Sequence, residues 1–116
     1  MTDNVRASPL ACDMSAIAPD KREEHLRTSR ELFSHIVSIR ELTDGYAFEL
    51  GNDPDVIVKA AQFIALEKLC CPFLHFAVEV EAEGGPVWLR LIGREGVKGF
   101  VREEINGILG GPIDWK

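Results

Sequence analysis

Glu67, Cys70, Cys71 and His75 fall within nine residues of one another. A carboxylate, two thiols and an imidazole are all metal ligands, and soft thiolates select zinc, copper(I) or heavier soft ions. Adjacent cysteines are less usual than C-x-x-C for zinc, because neighbouring side chains diverge. They can still clamp a two- or three-coordinate soft ion together. Cys12 offers a third thiolate, provided that residues 1–17 fold back over the helix that carries the other two. The candidate metal ligands are therefore Cys70, Cys71, Cys12, Glu67 and His75, with no catalytic or organic-cofactor residues assigned.

Glu67 is the informative residue of the set. On a helical wheel Val56, Ile57, Ala60, Phe63 and Ile64 form one apolar stripe, and Glu67 falls near its middle. A carboxylate without partners on a buried face costs several kcal/mol or takes up a proton. A cation, a metal, a hydrogen-bond donor or a water-filled pocket must compensate it. Arg90, Arg40 and a backbone amide are the structural alternatives. Each neighbour also has a plain reading: free cysteines often only pack, His75 suits a surface position, and Cys12 can be incidental. A thiol at a helix C-terminus meets the negative end of the dipole, and Glu67 adds negative charge. Both raise its pKa, the reverse of the setting that activates a catalytic cysteine. A bound cation would stabilise every thiolate and the carboxylate at once, so the signs favour metal binding over nucleophilic catalysis.

The elements that must position these groups are legible in the pattern. Residues 1–17 read as an irregular N-terminal segment, mobile at its start, and 18–116 as a single domain. Pro19–Phe33 reads as a surface helix with Pro19 in its first turn and a sparse apolar stripe of Leu26, Leu32 and Phe33. Ile36–Leu42 and Tyr46–Leu50 read as a hairpin around Thr43-Asp44-Gly45, where Asp-Gly supplies the positive φ of a tight turn. The second of these strands alternates as a half-buried strand does. Asp53 and Pro54 open the central helix, and Pro72 ends it near Cys70, leaving Cys71 extended. Phe73–Val80 and Val87–Ile92 form a second hairpin. In it Leu74, Phe76, Val78 and Val80 share a face with Val87, Leu89 and Leu91, while His75, Glu79, Trp88 and Arg90 occupy the other. A last helix runs from about Glu95 to Ile108 on Val97, Phe100, Val101, Ile105 and Ile108. The order, an N-terminal helix and then two weakly similar ββα units, predicts an α+β fold with an antiparallel sheet of about four strands and helices packed on it.

Composition bounds the function. The chain has 116 residues and a net charge of −6, which weighs against a nucleic-acid binder that must neutralise phosphates. No apolar run reaches the ~18 residues of a membrane span. The start, MTDNVRASPLACDM, has no apolar core of a secretory signal. Three cysteines, an odd number, fit a reduced cytoplasmic protein better than a disulfide framework. There is no P-loop, G-x-G-x-x-G after a strand, G-x-S-x-G or H-E-x-x-H. Gly93-Arg94-Glu95-Gly96 reads as a strand-to-helix turn.

Glu67-Lys68-Leu69-Cys70-Cys71-Pro72-Phe73, with the later GGPVWLRLIGREGVKGF and the early Leu10-Ala11-Cys12-Asp13, resembles a group of small uncharacterised bacterial proteins bearing an E-x-x-C-C-P-F signature. The resemblance spans about Pro9 to Glu104. It implies a loose association with heavy-metal resistance, and that Cys12 belongs with Glu67, Cys70 and Cys71. It carries no activity. Three readings follow. The first is a cytoplasmic protein that binds a soft metal or metalloid through its vicinal cysteines. The second is a thiol-redox protein. The third is a non-catalytic homodimeric interaction module, because Val58, Ala65, Leu66 and Leu69 make the central helix apolar nearly all round, so that the N-terminal helix or a second subunit must cover it.

Overall fold

The computed structural model describes residues 8–115; the part of the N-terminal expectation that concerns residues 1–7 lies outside them. A short 3-10 turn, Met14–Ala16, precedes α1 (Pro19–Phe33). Then come β1 (Ser38–Leu42), β2 (Gly45–Glu49), α2 (Pro54–Cys70), β3 (His75–Val80), β4 (Val87–Ile92) and α3 (Val97–Leu109). The fold is α+β, as expected, with one antiparallel four-stranded sheet in the order β1-β2-β4-β3. The second strand of each hairpin is central, and each is followed by its helix.

Register decides which face each side chain takes. Ile39 pairs with Phe48, Phe48 with Leu89, and Leu89 with Val78. Tyr46, Leu91 and Phe76 form the next row on the same face. All of these but Val78, which is exposed, meet Leu32, Phe33, Val56, Phe63, Val97, Val101 and Ile105 of the helices in one core. Phe33 stands edge-on to both Phe48 and Phe63, at 5.5 and 5.1 Å between centroids. The opposite face carries Arg40, Ala47, Trp88, Arg90 and Glu79. There Arg40 lies 4.6 Å over the Trp88 ring, Trp88 Nε1 donates to Glu81 at 2.9 Å, and Arg90 bonds Glu79 at 2.8 Å. Long side chains thus cover Ala47, and β2 is buried on both faces from Gly45 to Phe48 instead of half-buried.

Two local readings change. Gly45 does not have positive φ. It is glycine because a Cβ there would lie 2.0 Å from the Leu91 carbonyl oxygen, so close strand approach and not turn geometry demands it. On α1 the buried stripe is His25, Ser29, Leu32 and Phe33, at i, i+4, i+7 and i+8. Leu26 is 48% exposed. The first half of the stripe is therefore polar, and it is aimed at α2.

α1 packs against both α2 and α3. It lies on the Val56, Ala60, Phe63 and Glu67 side of α2, not on the Val58, Ala65, Leu66 and Leu69 side that the sequence pattern expects it or a second subunit to cover. Val58 and Leu69 on the outer side stay exposed, at 56% and 44%. Among the described residues no helix is long and apolar enough to cross a membrane.

Candidate functional site

The site forms where α2 ends. Asp53 caps the helix start by accepting from Asp55 N–H at 2.9 Å, and Pro72 prevents the helix from continuing. Cys70 is the last helical residue. Cys71 leaves helical geometry with φ −130° and ψ 67°, yet its N–H still donates to the Glu67 carbonyl at 2.8 Å. The expected divergence of adjacent side chains does not occur here, because this break turns both thiols towards Glu67. Their sulfurs lie 3.9 Å apart. Cys71 Sγ donates to Glu67 Oε2 at 3.2 Å, and Cys70 Sγ lies 3.6 Å from Oε1. Glu67 is 2% exposed, and both cysteines are fully buried.

Residues 8–17 do fold back over this helix end, and they are held there. Asp13 N–H donates to the Cys70 carbonyl at 2.9 Å, which sets Cys12 beside the vicinal pair. Asp13 also accepts from Ser15 N–H at 3.1 Å and so caps the 3-10 turn. Arg22 Nε donates to the Met14 and Ile17 carbonyls at 3.0 and 2.9 Å, Arg94 donates to the Ser8 carbonyl, and Ile17 is fully buried in the core. Over these residues the backbone is irregular apart from the 3-10 turn Met14–Ala16, and the segment packs on the helix end as a strap.

Glu67 is compensated by a residue that the sequence reading missed. His25 Nε2 lies 2.7 Å from Glu67 Oε1; neither Arg40 nor Arg90 serves, since both lie on the far face of the sheet. The His25 ring stacks on Phe63 at 5.6 Å and 17°. Its Nδ1 is buried and has no hydrogen-bond partner among the described residues. An imidazole that offers one nitrogen to a carboxylate and keeps the other free is the pattern of a metal-ligating histidine and its orienting group. Glu104 of α3 is the second missed residue. It sits at i+7 from Val97 on that helix's buried stripe, an acidic group on an apolar face, so the signal that singled out Glu67 would also have found it.

Three overlapping groups of potential ligands result. The sulfurs of Cys12, Cys70 and Cys71 lie within 4.8 Å of one another; so do ligand atoms of His25, Glu67 and Cys70, and of Glu67, Cys71 and Glu104. His75 joins none of them. It is exposed at the start of β3, opposite Ile92, because β3 begins after a turn that carries it to the far face. The structure thus brings together Cys12, Glu67, Cys70 and Cys71 of the expected set and leaves out His75.

Proton affinities in the cluster are interdependent. Burial acts to raise the Glu67 carboxyl, but hydrogen bonds from His25, Glu104 and Cys71 outweigh it and hold Glu67 below the usual range. Burial acts to lower His25, and its contacts with Cys70 and Glu67 prevail, raising it to about 9. Burial and the Glu67 charge push Glu104 up to about 8. The expected rise of a thiol pKa at this helix end is reversed at Cys70. The Cys71 hydrogen bond, aided by His25, lowers Cys70 to about 6 against the effect of burial. The neighbouring Cys70 sulfur pushes Cys71 well above an ordinary thiol, and Cys12 is pushed up by burial. These directions favour charge on Cys70, Glu67 and His25 and disfavour it on Cys12, Cys71 and Glu104.

The spacing of the sulfurs limits what they can hold. An ion at ~2.3 Å from each sulfur meets a pair 3.9 Å apart at an S–M–S angle of ~116°. That lies between tetrahedral and trigonal, whereas a linear two-coordinate ion would need ~4.6 Å. The Cys12 sulfur lies within 4.8 Å of both.

No protein-family model, curated protein or solved structure matches the chain.

Proposed function

We propose that the protein binds one soft metal or metalloid ion per chain through the thiolates of Cys12, Cys70 and Cys71. One observation supports this above the others: three uncrosslinked thiols from two distant segments converge within 4.8 Å, held by a backbone bond between Asp13 and Cys70. Packing alone gives no reason to strap a third thiol onto two adjacent ones. Ion binding must displace the protons of Cys12 and Cys71, and the added positive charge favours their loss. Glu67 and His25 orient the group and share its charge. The motif's resemblance to proteins associated with heavy-metal resistance agrees with the reading. Free thiols of this kind persist in a reducing compartment, so we place the protein in the cytoplasm.

The test is native mass spectrometry of reduced protein with one equivalent of Zn²⁺, Cu⁺ or As(III). A one-to-one adduct that is lost in Cys70→Ser/Cys71→Ser and weakened in Cys12→Ser is the expected result. Equal adducts on wild type and double variant would overturn the proposal.

A thiol-redox reading has the thiolate character of Cys70 in its favour. A disulfide between Cys70 and Cys71 would require the sulfurs to close from 3.9 Å to ~2.05 Å. Loss of two mass units under mild oxidation, without modification of Cys12, would favour that reading.

A further inference from the structure

Two clefts border the thiol cluster, one at Cys70 and one at Cys12, and the second is larger than a bare ion needs. It holds about 260 Å³ and lies between the strap, α1 and α3. Cys12, His25 and Glu67 line it on the side of the site. Met14, Leu26 and Ile108 supply apolar wall. A dry apolar cavity of ~150 Å³ is enough to bind benzene. Gly107, in the last turn of α3, also lines the cleft, and a Cβ built there meets nothing within 4 Å. Leu26, the exposed leucine that the core does not use, stands at this opening. Glu67, Glu103 and Glu104 line the cleft together with Arg30 and His25.

We infer that the ligand is a soft element carrying one organic group, of the class of a monoaryl or monoalkyl arsenic(III), with the group seated in this cleft. The inference rests on the proposed thiolate site. Two thiols suffice for such a ligand, one of them Cys12, which faces the cleft. An arylarsenic(III) oxide reacts with two thiols to give an arsenic dithiolate and one water. Two arsenic–sulfur bonds replace the bonds to oxygen, the thiol protons leave in the water, and no oxidation state changes. The carbon–arsenic bond stays intact, and the cleft shields the ring from solvent. The bare ion would use all three thiols and leave the cleft to water.

The experiment compares phenylarsine oxide, methylarsonous acid and arsenite on the reduced full chain by competition with a soluble dithiol. Wild type and Gly107→Leu are tested together. The leucine side chain starts in open space within the cleft lining and raises helix propensity. The expected result is that Gly107→Leu weakens phenylarsine oxide by at least about tenfold, from lost ring burial, and leaves arsenite within about twofold. In wild type, phenyl should outcompete methyl by a similar factor. If Gly107→Leu treats both arsenicals as wild type does, or phenyl and methyl bind equally, the organic-group proposal is overturned and the thiolate site stands. If no arsenical binds better than to Cys70→Ser/Cys71→Ser, the thiolate site fails and this proposal with it.

Discussion

Glu67→Gln tests the electrostatic account of the site. The substitution keeps the shape and an oxygen acceptor for His25, and removes the charge. In the wild type the contacts with Cys70 and then Glu67 raise His25 from 6.5 to about 9, which at ~1.4 kcal/mol for each tenfold in proton affinity is a differential interaction of ~3 kcal/mol shared between the two, so that Glu67 accounts for part of it. The sign follows from the direction. A histidine raised on folding contributes fully below its unfolded value near 6.5, and the contribution fades as pH rises through about 9. Glu67, held low by the same pair, sets the other limit: its share is lost as pH falls through its folded value. The two shifts describe one interaction and are not added. Removing one partner of a buried pair usually costs ~3–5 kcal/mol. Here the imidazole can release its proton, so the expected loss is ~2–3 kcal/mol near pH 6. At pH 10 His25 is neutral in both proteins, and Glu67 only repels ionising thiols, so the loss should shrink below ~1 kcal/mol or invert. Urea unfolding of metal-free protein at the two pH values measures this. An equal loss at pH 6 and pH 10, or none at pH 6, would refute the pairing of His25 with Glu67 as the source of both shifts.

Four further outcomes follow. Thiolate absorbance of reduced, metal-free protein should rise in one step of a single thiol near pH 6, with the other two unionised past pH 9, and Cys70→Ser should abolish the early step. Ile17→Ala removes the buried anchor of the strap; the cavity costs ~2–5 kcal/mol, and metal affinity measured by chelator competition should fall to that of Cys12→Ser. His75→Ala should leave metal stoichiometry and affinity unchanged in the same assay, since the side chain lies on the far face of the sheet. Gly45→Ala should destabilise the protein by more than ~3 kcal/mol in thermal or urea unfolding, because its Cβ would meet the Leu91 carbonyl at 2.0 Å.

Much of the scaffold was legible because its signals are local. Pro19, Asp53 with Pro54, and Pro72 mark helix ends whose position depends on φ restriction and capping alone, and α1 and α2 begin and end where those residues place them. The Val78–Leu89 row follows from alternation within one hairpin. β2 was misread as half-buried because its second cover, the Arg40–Trp88–Arg90 layer, comes from strands on both sides of it. The three thiols and Glu67 were legible as chemistry because a charge on an apolar stripe demands a partner. The partner was not. His25 lies 42 residues away on a stripe whose first half is polar, and no local rule pairs it with α2.

The sequence by itself determined where the helices start and stop, which strand residues face the core, and that Glu67, Cys70 and Cys71 share one helix end. Those are properties of periodicity and backbone restriction, which act over a few residues. Only the tertiary structure decided that residues 8–17 strap Cys12 onto that end, that His25 and Glu104 complete the cluster, and that His75 is left outside it. Those outcomes depend on the path of a segment across a surface and on the packing of α1 and α3 against α2. Both are long-range balances of burial and hydrogen bonding. The acidity of Cys70 is one of their products: helix-end position alone would have raised it, and a neighbouring thiol and a distant imidazole brought it down.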